Sequence, residues 1–439
     1  VTSGITVGID IGTTSVKALA VDGDGTIVAR ARVPHEIHAP SVDVFEHDAK
    51  QAWVDGPRRA LDELGIAAFD GIKVATMVPS FTAVDKAGIP MTPGLLYGDH
   101  RGRAGRNEAD MLNSREFRSM LEWTAAAAPG AHGYWTAPAV AQVALGGTPA
   151  VDFGTAFALA PLWDGDWQTG ALAELGIEPE QLPVIAGEDD VVGHIRGAPH
   201  GPGMADAWAE STVAGINAPG DILVICGTTL IVWNVLAQPA LVAGMWSIPH
   251  PLGELSILGG ASNAGGMFVN WVRRSLAGTT VALDPAAVPI WVPYLKGERT
   301  PAHDISLRAS LHGLDIGHDA ASITRAAYEA SAFVARRMIE TSGVSVSRVV
   351  ASGGGVHDEQ WMQALADCTG RPVELVAVPE GAALGAAWRA RVVAGLDKNA
   401  DVVRWARYGR QVDPDPKWVE PSEERYRRWS ELAAVTAAT

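Results

Sequence analysis

The chain opens on Ile5-Thr6-Val7-Gly8-Ile9-Asp10-Ile11, where apolar positions alternate with small or polar ones at the period of a β-strand. Gly12-Thr13-Thr14 interrupts the alternation, Val16 to Val21 resumes it, and Asp22-Gly23-Asp24-Gly25 ends it. Strand, Gly-Thr-Thr turn, strand and Asp-Gly turn describe a hairpin, and Thr26 to Val33 is expected as a third strand. A helix is predicted over Asp48 to Leu64, with Ala52, Trp53, Ala60, Leu61 and Leu64 as its apolar members.

The opening pattern returns later. Gly220-Asp221 introduces the apolar run Ile222 to Cys226, Gly227-Thr228-Thr229 follows, and a second apolar run begins. Both flanking strands and the turn chemistry repeat, which points to an internal duplication and two related domains. Ile225 stands where the first copy has Asp10, so the acid belongs to one side only. The stretch Ala214 to Pro219 is the expected boundary, giving domains 1–216 and 217–439. Helices are predicted over Ala320 to Ser342, His357 to Cys368 and Ala382 to Ala394. Arg348 to Ser352 reads as a strand running into Gly353-Gly354-Gly355 and then a helix, and Pro421 to Ala438 as one amphipathic helix.

Composition narrows the class. A chain of 439 residues with 47% hydrophobic and 19% charged positions is large enough for two well-packed domains. Its 34 basic against 50 acidic residues leave a net charge of −16 and no basic cluster, which disfavours nucleic acid and anionic membrane as partners. The two cysteines, Cys226 and Cys368, form no C-x-x-C, so zinc and a disulfide framework are not expected. The opening has no basic segment or cleavable apolar stretch, and the longest apolar window, Ile222 to Ala237, is broken by Gly227, Thr228, Thr229 and Asn234. A soluble, cytoplasmic protein is the expectation.

Several segments carry candidate chemistry. Asp10 at a strand end, followed by Gly12, Thr13 and Thr14, has the parts of a phosphate and metal site. A carboxylate suits Mg²⁺, and amide and hydroxyl groups donate to phosphate oxygens. Lys17 lies on the next strand, within reach of the same anion. Taken alone, the segment also describes a tight hairpin with an exposed acid; the second turn, Gly227, Thr228 and Thr229, favours two turns clasping a polyphosphate. Gly353, Gly354 and Gly355 suit an anion or a flat ring at a helix start, without a G-x-G-x-x-G or G-x-x-x-x-G-K-[ST] pattern. Asp206 precedes an Ala-rich helix and reads either as its cap or as a catalytic acid near the boundary. Tyr97-Gly98-Asp99-His100-Arg101, with Arg103 and Arg106 beyond, reads either as a charged helix start or as a hydrogen-bonding cluster for a hydroxylated ligand. The remaining histidines fall in no H-E-x-x-H, and most are expected at the surface or in caps.

Gly8-Ile9-Asp10-Ile11-Gly12-Thr13-Thr14-Ser15-Val16-Lys17 resembles the opening of the FGGY carbohydrate kinases. Later landmarks follow in order: Asn263 to Gly266, Pro293 to Pro301, His312-Gly313-Leu314, Gly353 through Trp361 and Asp367, and Glu380 to Ala387. The resemblance implies an α/β chain of two actin-like (ribonuclease-H-like) domains with ATP and substrate in a cleft between them. It places Asp10 on the metal-associated acid, Gly12, Thr13, Thr14 and Lys17 on the first phosphate loop, and Gly227, Thr228 and Thr229 on the second. Gly353, Gly354, Gly355 and Asp358 fall near the adenosine, Asp206 on the catalytic base, and Asp99, His100 and Arg101 beside the sugar. Where many members carry Met-His-Gly, this chain has Val78, Pro79 and Ser80, in a stretch that shapes the sugar pocket. Gly187 to Gly203 is compressed, and Ser322 departs from the family signature.

The expectation is ATP- and Mg²⁺-dependent phosphorylation of a sugar, sugar acid or polyol, a xylulose-like pentulose first. The alternatives are an actin- or Hsp70-like nucleotide switch and a catalytically impaired sugar-sensing regulator. The partner is a small molecule, and the reading admits a homodimer.

Overall fold

The computed structural model describes residues 4–41, 44–99, 101, 116–160, 162–251, 253–276 and 283–438. The chain forms two compact units, Val1–Val213 with Glu380–Trp405, and Ala214–Pro379 with Ala406–Thr439. The first break falls beside the expected boundary at residue 216. The segment Glu380–Trp405, however, packs with the first unit rather than with the C-terminal half that contains it in sequence.

In the first unit the sheet runs Gly193–Ile195, Ala198–His200, Gly71–Thr76, Thr6–Ile11, Ser15–Val21, Ile27–Pro34, with Met204–Ala205 also pairing to Gly71–Thr76. Thr6–Ile11 is antiparallel to Ser15–Val21 and parallel to Gly71–Thr76. Thr6–Ile11 is buried at every position, as a central strand covered on both faces must be. Ile27–Pro34 alternates half-buried and exposed positions, and exposed Arg30 and Arg32 charge this edge against pairing with another chain. The predicted helix at Asp48 starts as a π-helical turn, Lys50–Asp55, and continues as the α-helix Gly56–Glu63. A smaller sheet joins Glu46–His47, Gly94–Leu96, Ser80–Val84 and Gly133–Trp135.

The reason Glu380–Trp405 belongs to this unit is steric. Helix Gly381–Val393 lies against Thr6–Ile11, Gly71–Thr76 and the helix Asp206–Val213. A Cβ on Gly8 would fall on the carbonyl of Ala383, and one on Gly385 on the carbonyl of Ala209. Small residues let these backbones touch, and Thr6 Oγ1 donates to the Ala387 carbonyl at 2.9 Å. The Gly-Ala-rich motif is thus a packing surface buried nearly all round, with no polar face to turn to water.

The second unit repeats the topology. Its sheet runs Trp246–His250, Gly253–Ser262, Leu230–Leu236, Asp221–Cys226, Arg348–Ser352, Val373–Val376, Tyr408–Val412. Asp221–Cys226 is antiparallel to Leu230–Leu236 and parallel to Arg348–Ser352, as the opening strand is to its own neighbours. Each unit is therefore an actin-like (ribonuclease-H-like) domain, and the duplication read from two Gly-Thr-Thr turns extends to strand order. The apolar window at Ile222 is two of these strands, and among the described residues no helix is long and apolar enough to cross a membrane. Cys226 and Cys368 are both buried and are not joined in a disulfide.

Helices Ala320–Ser342 and Glu359–Thr369 pack with the second unit's sheet, and Pro416–Ala438 packs on these two helices and on strand Ile290–Val292. Ser322 departs from the family signature for a local reason: with Asp319 it forms the reciprocal capping box that starts the first of these helices. The tail helix begins five residues before the expected Pro421, which lies inside it. Its anchor is Arg425, whose guanidinium grips buried Glu329 at 2.6 and 2.7 Å.

Glu298 ties the turn after Gly253–Ser262 in place. Its buried carboxylate accepts from Ser262 Oγ at 2.8 Å, Asn263 N–H at 3.2 Å and Arg299 N–H at 2.7 Å. Burial outweighs the nearby Arg337 and these donors and pushes its pKa up to about 7. The folded chain then holds this proton more tightly than the unfolded one. Its contribution to stability is full below the ordinary value of 4.5 and is lost as the pH rises through about 7.

Two expectations follow from this packing. Gly385→Ala forces a methyl onto a carbonyl and should cost about 1–3 kcal/mol of stability, read from urea unfolding. Glu298→Gln, which cannot titrate, should lack the wild type's decline in unfolding free energy from pH 4.5 to pH 7; parallel profiles for the two proteins would contradict the buried-proton account.

Candidate active site

The register of the first sheet determines which side chains share an edge. Asp10 and Met204 both pair with Ala75, and the next row holds Ile11, Thr76 and Ala205. Gly12, Met77 and Asp206 therefore leave the sheet together, at the carboxyl ends of parallel strands, where ligands of α/β sheets bind. Asp10 and Met204 lie two strand spacings apart, about 10 Å, and Asp206 is two residues beyond Met204. Val78 and Pro79 extend from the same edge, since Met77 N–H still donates to the Ile11 carbonyl at 3.4 Å.

Asp10 is buried, and its cross-strand partner is Lys17. Lys17 Nζ donates to Asp10 Oδ2 at 3.1 Å, and the Asp10 charge is the main reason the lysine pKa is raised. The other oxygen, Oδ1, is buried with no hydrogen-bond partner, which costs about 1–3 kcal/mol unless a ligand satisfies it. Among the described residues no group of three or more His, Cys, Asp or Glu is placed to hold a metal. One carboxylate with a bare oxygen nevertheless fits Mg²⁺, which takes one or two protein carboxylates and completes its shell with water and phosphate.

The Gly12-Thr13-Thr14 turn is held from behind. Gly12 N–H donates to the Ser15 carbonyl at 3.1 Å, and His35 N–H to the Thr14 carbonyl at 3.0 Å. His35 Nε2 lies 3.0 Å from the Gly12 carbonyl and His47 Nε2 2.8 Å from the Thr13 carbonyl. The Thr13 hydroxyl shares a hydrogen bond of 2.9 Å with the Tyr97 hydroxyl. These two histidines are exceptions to the expectation that most lie at the surface or in caps. They are buried instead, in edge-to-face contact with ring centroids 4.5 Å apart. Burial lowers both pKa values, and for His47 burial followed by the neighbouring His35 brings it to about 3.

The second turn is built in the same way with different parts. Gly227 N–H donates to the Thr229 carbonyl at 3.2 Å. The first amides of helix Gly266–Ser275 take its carbonyls: Gly266 N–H donates to Gly227 O at 2.8 Å and Met267 N–H to Thr228 O at 3.0 Å. Thr229 Oγ1 is buried without a hydrogen-bond partner. A Cβ on Gly12 or Gly227 would meet nothing closer than 3.4 Å, so glycine there leaves backbone uncovered rather than relieving a clash. Gly353 and Gly355 are packed against Cys226 and Gly227, while a Cβ on Gly354 would point into open space. Gly353 also has φ of 83°, a conformation glycine adopts freely.

Other candidates divide. Arg101 grips Asp99 through Nε at 3.0 Å and Nη2 at 2.7 Å, reaches Glu46 at 2.6 Å, and stacks over Trp123. Asp99 and Arg101 thus form an ion pair in the turn after strand Gly94–Leu96. His100, Arg103 and Arg106 lie outside the described residues. Ser80 is fully buried and accepts from Ala137 N–H at 3.2 Å, a scaffold contact. Asp358 caps helix Glu359–Thr369 through Trp361 N–H and receives Tyr328 Oη at 2.7 Å and Arg273 Nη1 at 2.9 Å. Both its oxygens are in use. Asp206 begins its helix, with Oδ1 2.7 Å from Ala207 N–H.

Residues 5–119 match the N-terminal domain, and residues 222–394 the C-terminal domain, of the FGGY family of carbohydrate kinases. A gluconokinase of Bacillus subtilis is 24% identical, over 86% of this chain and 85% of its own. A glycerol kinase of Saccharopolyspora erythraea is 26% identical over 98% of both chains. The crystal structure of xylulose kinase from Rhodospirillum rubrum superposes with a TM-score of 0.79 at 26% identity, covering 98% of each chain. The chain belongs to the FGGY family of carbohydrate kinases, phosphotransferases that take their phosphoryl group from ATP.

Proposed function

We propose that this enzyme transfers the γ-phosphoryl group of ATP to a hydroxyl of a neutral sugar, a pentulose of the xylulose type first, with Asp206 as the general base. The observation that carries the reading is the shared strand-end edge, from which the Gly12-Thr13-Thr14 turn and Asp206 both emerge. Gly12, Thr13, Thr14 and Lys17 receive phosphate oxygens in this reading, as do Gly227, Thr228 and Thr229. The open side of Gly354 suits the flat adenine, and Asp358 acts by starting the helix beside it.

Asp10 would hold Mg²⁺, directly or through water, and the ion would supply charge neutralisation on the phosphates. The acceptor hydroxyl oxygen forms a bond to the γ-phosphorus while the bond to the β,γ-bridging oxygen breaks and ADP leaves. Asp206 takes the hydroxyl proton. The transition state is loose, so positioning and electrostatics dominate. Asp99 and Glu46 already balance the Arg101 charge, which favours hydroxyl groups over the carboxylate of a sugar acid as its ligand. With Val78 and Pro79 at the same edge, the acceptor is not inherited from any one relative.

A coupled ADP-release screen over ketoses, aldonates, polyols and deoxy sugars tests the acceptor, and a pentulose should give the highest kcat/KM; an aldonate in first place would reverse that choice. Asp206→Asn should lower kcat by about 10²–10⁴-fold, roughly 3–5 kcal/mol of barrier, and leave Mg·ATP binding within about twofold. Turnover at the wild-type rate would remove Asp206 from the base role.

A further inference from the structure

We propose that His47 is a positioning residue for the ATP phosphates, holding the Thr13 carbonyl so that the Thr14 N–H faces the opposite, phosphate-binding side of the first turn. The inference rests on that turn being a phosphate loop.

A trans peptide points its C=O and the following N–H to opposite edges of one plane, so gripping the carbonyl aims the amide. His47 Nε2 grips Thr13 O at 2.8 Å, and His35 Nε2 grips Gly12 O at 3.0 Å, which aims the Thr13 N–H likewise. The second turn has the same two carbonyls, of Gly227 and Thr228, taken by the amides of Gly266 and Met267. Two turns of common topology therefore carry the same restraint, one supplied by a helix start and the other by imidazoles.

Trp53 determines which His47 nitrogen carries the proton. Its indole N–H, which can only donate, lies 3.1 Å from His47 Nδ1. Nδ1 is therefore bare, Nε2 holds the hydrogen, and the neutral ring donates to Thr13. A ring protonated at both nitrogens would lose the Trp53 bond beside His35, at 4.5 Å between centroids. Glu46, the residue before His47 on the same two-residue strand, holds Arg101, so one short strand braces the phosphate turn and the sugar-side cluster.

Calorimetric binding of Mg·ATP and of adenosine to the wild type, His47→Leu and His47→Gln provides the test. His47→Leu should weaken Mg·ATP about tenfold or more, the equivalent of one well-made hydrogen bond, and leave adenosine within about twofold. His47→Gln, which can accept from Trp53 and donate to Thr13, should recover most of the loss. Equal weakening of ATP and adenosine would mean a general structural role and overturn the proposal, as would an unaffected leucine variant or a glutamine variant no better than leucine. Failure of the wild type to bind Mg·ATP would instead sink the phosphate-loop reading beneath it. Should the leucine variant not fold, ¹⁵N-histidine spectra of the wild type decide: His47 is expected as the Nε2–H tautomer from pH 5.5 to 8, and an Nδ1–H tautomer or a titration near its ordinary value of 6.5 overturns the assignment.

Discussion

A short turn can offer its N–H groups to an anion only if its carbonyls are held on the far side, because an unrestrained peptide plane can rotate and present oxygen instead. Both Gly-Thr-Thr turns of this enzyme satisfy that constraint, and much of the surrounding structure serves it. In the second unit the helix starting at Gly266 sits directly behind the turn, and its first amides have no intrahelical partner in any case. Among the described residues of the first unit no helix start fills that place. Two buried imidazoles do so, and they require the strand Glu46–His47, the edge strand leading to His35, and Trp53 behind them.

Charge sets the second condition. Asp10 and Asp206 leave the sheet at the edge where phosphates are read to bind, and two carboxylates near a triphosphate repel it. Lys17 balances part of Asp10, and the orphaned Oδ1 is the atom proposed to face Mg²⁺. Burial of Asp10 makes this arrangement stiff: neither oxygen can relax toward solvent, so the carboxylate stays aimed between nucleotide visits. Arg101, only half-buried, is held instead by its ion pairs with Asp99 and Glu46.

The family landmarks prove to be of two kinds. Gly12 and Gly227 leave backbone uncovered, and their turns are the ones proposed to receive phosphate. The motif from Gly381 to Ala387 exposes nothing; it lets a helix from late in the chain touch the opening strand. Glu298, within the run Pro293 to Pro301, is buried as a clasp on Ser262 and Asn263, and Asp358 is a helix cap. A motif shared with a family thus marks a packing requirement as readily as a contact with substrate.

The sequence alone determined what local forces decide. Alternation set the strands within a residue or two, turn chemistry placed the Gly-Thr-Thr bends, and their repetition announced two related units, because each depends on neighbours a few positions away. Only the tertiary structure decided that Glu380–Trp405 returns to the first unit, that Ser80 faces inward, and that His35 and His47 lie behind a turn more than twenty residues earlier. No periodicity carries such information. Which carbonyl an imidazole meets depends on sheet register and on the packing of distant segments, and these exist only once the chain has closed on itself.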